Sequence, residues 1–138
     1  MNAIEIAHYG RWFPYNDYKY PFWWLDQKYK RAVHIDTLCG IMGYKSADEI
    51  NIDECRMAGY VPWFCLDIPA LERKYASIYF PRQESKRLLE MDDRAMDFDF
   101  GRVIEELGLN KHWYEYELKA LLSAAEAWCQ ENRINIIN

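Results

Sequence analysis

Tyr20-Pro21-Phe22-Trp23-Trp24-Leu25, then Asp26-Gln27-Lys28, then Tyr29-Lys30-Arg31-Ala32-Val33-His34-Ile35 is the stretch that decides the fold. Two apolar runs flank a polar three-residue connection of hairpin length, which predicts an antiparallel hairpin. On an extended strand alternate side chains point to opposite faces, so Phe22 and Trp24 share one face and Trp23 and Leu25 the other. Both faces are bulky and apolar, so the strand must be covered on both sides or present one side for binding. Pro21 suits a strand start, because it has no N–H to give to a ladder. Ahead of the hairpin, Arg11-Trp12-Phe13-Pro14-Tyr15-Asn16-Asp17 ends in turn chemistry, and residues 1–20 read as a leader.

Helical patterns take over downstream. Ser46, with Glu49 three residues on, makes a capping-box pattern that opens a short helix near Ala47. Gly59-Tyr60-Val61-Pro62 interrupts the chain. Asp67 caps a helix with Pro69 in its first turn, running to about Tyr79 and stopped by Pro81. Leu71, Tyr75 and Ile78 recur at helical spacing and should face its core. Another helix covers Gln83 to Met91. Asp97 or Asp99 then caps a helix through Phe100, Val103, Ile104 and Leu107, with Gly108 as a left-handed stop. Asn110 caps a long helix to about Asn132. Its Tyr114, Leu118, Leu121, Leu122, Ala125, Trp128 and Cys129 form one apolar stripe, with Glu115, Lys119, Glu126 and Gln130 on the outer side. The short Gly-Leu-Asn link predicts an α-hairpin. Ile134, Ile136 and Ile137 add a terminal strand or a packed tail. The expected architecture is one α+β domain over residues 1–138. A short antiparallel N-terminal sheet, with room for another strand, packs against a C-terminal set of helices.

Phe100, Leu107, Trp113-Tyr114-Glu115-Tyr116, Leu118, Ala125, Trp128, Glu131 and Ile134 form a string that resembles the C-terminal signature of a small uncharacterised bacterial family. In that family a Phe-led helix is followed by Trp-Tyr-x-Phe/Tyr and ends in Ala-x-x-Trp-x-x-Glu-x-x-Ile. The resemblance covers only about the last 40 residues and implies a compact bacterial α+β domain. It brings no catalytic residue with it.

Composition sets outer bounds. A chain of 138 residues suits one core, and 51% hydrophobic against 28% charged residues excludes intrinsic disorder. No apolar run approaches the ~18 residues of a membrane span. Met1-Asn2-Ala3-Ile4-Glu5-Ile6 has no basic or apolar leader segment, so a secretory signal is not expected and a cytoplasmic location is. Cys39, Cys55, Cys65 and Cys129 form no Cys-x-x-Cys, and His8, His34 and His112 are scattered. Reduced, buried cysteines are expected, with no metal and no cofactor.

Charge and rings are uneven. The first 45 residues hold six cations against four carboxylates, or +2, which leaves -7 for the rest of a chain of net charge -5. They also hold 11 of the 23 aromatic residues. The acidic run Glu90, Asp92, Asp93, Asp97 and Asp99 lacks the ladder of a calcium loop and reads as a solvated turn with helix caps. None of Ser46, Ser77, Ser85 and Ser123 sits in Gly-x-Ser-x-Gly. His112 falls in the first turn of the last helix, where a neutral ring is the default.

Tyr, Trp and Arg dominate protein–protein hot spots, and 11 aromatics exceed what one hairpin can hide. The expected function is therefore that of a non-catalytic bacterial or phage accessory protein, a regulator or immunity-type inhibitor. It would bind another protein, or a second copy of itself, through an aromatic patch with Arg11, Trp12, Tyr15, Trp23 and Arg31 as contacts. Single-stranded nucleic-acid binding through the same region is the alternative, since such residues stack bases and pair phosphates. The negative net charge opposes it. A hydrolase or nuclease using His8 and Arg11 ranks behind both, because His8-Tyr9-Gly10-Arg11 matches no catalytic motif. No membrane contact is expected.

Overall fold

Strand β1 (Trp23–Asp26) pairs antiparallel with β2 (Arg31–His34), Trp24 opposite Val33 and Asp26 opposite Arg31. A third strand, β3 (Tyr60–Pro62), pairs antiparallel with the other edge of β1 through Leu25 and Val61, giving the order β2-β1-β3. These coordinates are a computed structural model, which describes residues 2–12 and 21–135, and the side chains of 2–8 and 21–135. The chain is α+β, with this sheet near the N-terminus and seven helices among the described residues. Their contacts gather into two compact units, Met1–Leu66 with Leu121–Asn138, and Asp67–Ala120. None of the described helices is long and apolar enough to cross a membrane.

In the first unit both faces of the sheet are covered, as the two-sided apolar strand requires. Leu25, Val61 and Trp63 lie on one face, in a core with Ile6 and Ala7 of helix α1 (Ala3–Trp12) and Leu121, Ala125, Trp128 and Cys129 of helix α7 (Asn110–Glu131). Trp24 and Val33 lie on the other face, with Leu38 and Cys39 of α2 (Ile35–Met42) and Cys55 of α3 (Ile52–Met57). Trp24 is wholly enclosed, and its indole N–H donates to the Pro21 carbonyl at 3.0 Å. Removing such a side chain from water contributes on the order of 3 kcal/mol. The Trp128 indole N–H donates to the Pro62 carbonyl at 3.0 Å, tying α7 to the edge strand. Ile134 closes the first core; Ile136 and Ile137 lie outside the described residues.

Several boundaries differ from the sequence reading. Residues 3–12 are helix rather than leader, opened by a reciprocal cap: the Glu5 N–H donates to the Asn2 side chain at 2.9 Å, and the Asn2 N–H donates to the Glu5 carboxylate at 2.8 Å. The hairpin strands are shorter than expected because a four-residue turn, 27–30, replaces the three-residue connection. Chain past His34 turns directly into α2, capped by the His34 ring, which accepts from the Asp36 N–H at 3.2 Å. Gly43, at φ 77, ends that helix in the left-handed region that glycine enters without strain. Around Ala47 there is only a 3-10 turn, Ala47–Glu49. Ser46 makes no side-chain cap there, and Glu49 reaches back to the Lys45 N–H instead.

The second unit follows its local signals more closely. Asp67 caps α4 (Ile68–Tyr79), with Pro69 in its first turn; α5 (Arg82–Leu89) follows Pro81. Helix α6 (Asp93–Glu106) is capped by Asp92, whose side chain accepts the Ala95 N–H at 2.8 Å, so Asp97 and Asp99 lie inside it. The chain leaves α6 through Gly108 at φ 67 and enters α7, whose first half belongs to this unit. Tyr75, Phe80, Leu88, Met96, Phe100, Val103 and Ile104 make the core, with Trp113 and Tyr116 packed against it. Ile78 is exposed, not buried, and Glu72, about one turn before Tyr75 on α4, is buried. Tyr114 is likewise exposed on α7.

Candidate functional site

Asp26 ends β1 and is only 3% exposed. A buried carboxylate is costly unless hydrogen bonds replace its water, and Asp26 accepts three. One oxygen takes the backbone N–H groups of Lys28 at 3.0 Å and Tyr29 at 3.3 Å; the other takes the Arg31 Nε–H at 3.1 Å. The Gln27 N–H donates to the Gly59 carbonyl, fastening the turn to the start of β3. Lys30 then adopts φ 53, a left-handed conformation that costs a non-glycine residue roughly 1 kcal/mol. The Asp26 bonds hold the turn in that shape.

The tip so fixed presents Lys28, Tyr29, Lys30 and Arg31 to solvent. Tyr29 is 65% exposed. Lys28 Nζ stands 5.2 Å and Arg31 Cζ 5.4 Å from its ring centroid, so two cations brace the ring. Arg31 contacts Asp26 through Nε, while Nη1 and Nη2 make no hydrogen bond to any described residue. The arrangement can receive an anion at the guanidinium and an apolar or ring surface on Tyr29.

Of the residues expected at the site, Arg31 lies at this tip. Trp23 lies at the other end of β1, half-buried against the first core and edge-on to the His34 ring at 5.0 Å. Arg11 and Trp12 end α1 with side chains outside the described set, and Tyr15 lies outside the described residues altogether. His8 is half-buried on α1. The described rings of the N-terminal third are largely absorbed by the two cores: Trp24 is buried, and Phe22, Trp23 and Tyr44 are half-buried, which leaves Tyr29 as the exposed one. The sequence reading missed Lys28, Tyr29 and Lys30, although a turn aspartate followed by N–H groups two and three residues on is a readable sign of an Asx turn.

Other chemistry-bearing groups sit elsewhere. Glu72 is 3% exposed beside Asp97 and Glu117. Burial first, then its hydrogen bond to Asp97 and the charges of both neighbours, push its carboxyl up to about 9, against a smaller downward pull from Arg73. One of its oxygens, Oε1, finds no hydrogen-bond partner among the described residues. The Tyr75 hydroxyl meets His112 Nδ1 at 2.7 Å, and burial pushes the phenol upward. Arg73 pairs with Asp93 at 2.6 Å, and Arg102 joins Asp99 at 2.9 Å to Glu106 at 2.7 Å, so much of the acidic run is engaged by arginines. Among the described residues no group of three His, Cys, Asp or Glu side chains is arranged to hold a metal. Cys39, Cys55 and Cys129 are buried free thiols pushed upward by burial; Cys65 is exposed, contrary to expectation, on the segment between β3 and α4.

Compared with protein-family models, curated proteins and solved structures, the chain matches none. The C-terminal string that resembles a bacterial family is accounted for by the packing of α6 and α7: Phe100, Trp113 and Tyr116 serve the second unit's core, and Ala125, Trp128 and Ile134 the first unit's.

Proposed function

We propose that this protein acts without catalysis, docking onto another protein through the tip of the β1–β2 hairpin. The observation that carries the reading is the exposed Tyr29 ring braced by Lys28 and Arg31 on a turn wired to the buried Asp26. Tyr and Arg are the residue types most enriched in hot spots. Holding them in place beforehand removes an ordering cost of roughly 0.5–1.5 kcal/mol per side chain on binding. Of the contacts expected from the sequence, Arg31 is the one proposed at this tip; Trp23 lies at the other end of β1. The biological class that suits such a domain is a bacterial or phage regulator or immunity-type inhibitor acting in the cytoplasm.

Photocrosslinking tests this directly. A photoreactive phenylalanine derivative replaces Tyr29 in cells of the source organism, with the same group at Met57, 89% exposed on α3, as the control position. The reading expects one recurrent protein adduct from position 29 that is absent from position 57. Equal adducts from both positions, or adducts to nucleic acid alone from position 29, overturn it.

A further inference from the structure

We propose that the hairpin tip receives an acidic segment of the partner protein, with a partner carboxylate seated on the Nη edge of Arg31. This inference rests on the docking reading above and adds the chemistry of what docks. A guanidinium carries five N–H groups in one plane. Asp26 takes the one on Nε at 3.1 Å, which fixes the plane and leaves the four on Nη1 and Nη2 without a hydrogen bond among the described residues. That edge matches a carboxylate in a two-bond arrangement, the strongest pairing available to an uncoordinated side chain. Asp26 is itself buried by the sheet, so the fork is held by a support that the partner does not have to displace.

The neighbours fit the same occupant. Lys28 and Lys30 add two point charges, so the tip carries three cations against the single carboxylate of Asp26, a local +2. The rest of the chain then totals -7. The net negative charge of the whole chain opposes a nucleic acid, whose affinity rests on many cation–phosphate contacts, whereas a short acidic segment needs only the few cations of the tip. Tyr29 offers its ring to the methylene stem of a glutamate or to an adjoining apolar residue.

The experiment measures fluorescence anisotropy of three labelled probes at low salt: octaglutamate, octaglutamine and an eight-nucleotide thymidylate. Octaglutamate is expected to bind and octaglutamine not to. Arg31→Lys keeps the charge but loses the fork, and is expected to weaken octaglutamate about tenfold, whereas Lys30→Gln weakens it about threefold or less. Tyr29→Ala, at an exposed position, serves as a second variant that leaves the Asp26 bonds intact, and is expected to weaken binding as well. The proposal is overturned by equal losses for Arg31→Lys and Lys30→Gln, or by thymidylate binding as tightly as octaglutamate. Protein crosslinks from position 29 with no octaglutamate binding would sink the acidic-segment inference and leave the docking reading standing. Octaglutamate binding without any protein adduct would sink both.

Discussion

Two carboxylates in this protein are equally buried and live in opposite surroundings. Asp26, in the first unit, is 3% exposed and accepts two backbone N–H groups and a guanidinium N–H. Glu72, in the second unit, is also 3% exposed, but faces Asp97 and Glu117 and leaves one oxygen without a hydrogen-bond partner among the described residues. Burial alone therefore decides nothing about a charged group. What matters is whether donors have replaced the lost water: where they have, the acid organises the chain around it; where they have not, it gives up its charge.

The largest expected effect comes from deleting the satisfied acid. Asp26→Ala leaves two turn N–H groups and the Arg31 Nε–H without their acceptor, and should cost about 3 kcal/mol in urea unfolding. A loss below 1 kcal/mol would mean that water serves those donors as well as the carboxylate does. The same variant should abolish octaglutamate binding, since the fork loses its anchor.

Glu72→Gln should act in the other direction. A carboxyl raised from 4.5 to about 9 in the folded state binds a proton that the unfolded chain has released, so stability falls as pH rises between those two values. Below pH 4.5 both states are protonated and the penalty disappears. Glutamine mimics the neutral acid, and the variant should gain about 2 kcal/mol at pH 8 and lose this pH dependence. Thermal unfolding from pH 5 to 9 checks it; parallel profiles for the two proteins would show that Glu72 stays ionised. A smaller loss, about 1 kcal/mol, is expected for Asn2→Ala, which removes the side chain that caps α1. Amide exchange in residues 4–8 reads that change locally.

The smallest effect sharpens the account of the tip. Lys30→Gly relieves the left-handed backbone at φ 53 but gives the unfolded chain more freedom, so the net gain should be about 0.5 kcal/mol. A loss of stability would indicate that the Lys30 side chain contributes packing of its own.

The same contrast explains what the sequence revealed. Elements bounded by local chemistry were legible: Asp67, Pro69 and Pro81 frame α4, and Gly108 separates α6 from α7. Helix α2 was hidden because a histidine, an uncommon cap, starts it directly at the end of a strand. Strand β3 is three residues long, and its extended shape comes from pairing with β1 more than thirty residues away, which no local pattern encodes. The cap of α6 lies earlier than the sequence pattern suggests, because Asp92, Asp93, Asp97 and Asp99 all carry the same signal and only packing selects among them. At the site, Arg31 was visible as a cation among aromatics. The role of Asp26 was not, since a turn aspartate looks alike in sequence whether solvent or the protein surrounds it.

Helix α7 supplies the first unit's core from near the chain's far end: Leu121, Ala125, Trp128 and Cys129 cover the sheet face built by Leu25, Val61 and Trp63. During synthesis that face emerges from the ribosome long before its cover does. The nascent chain therefore carries a greasy sheet face still lacking its α7 cover while the 54 residues of the second unit are being added. Those intervening residues are contiguous and can settle first, so the order of maturation runs from the middle of the chain outward.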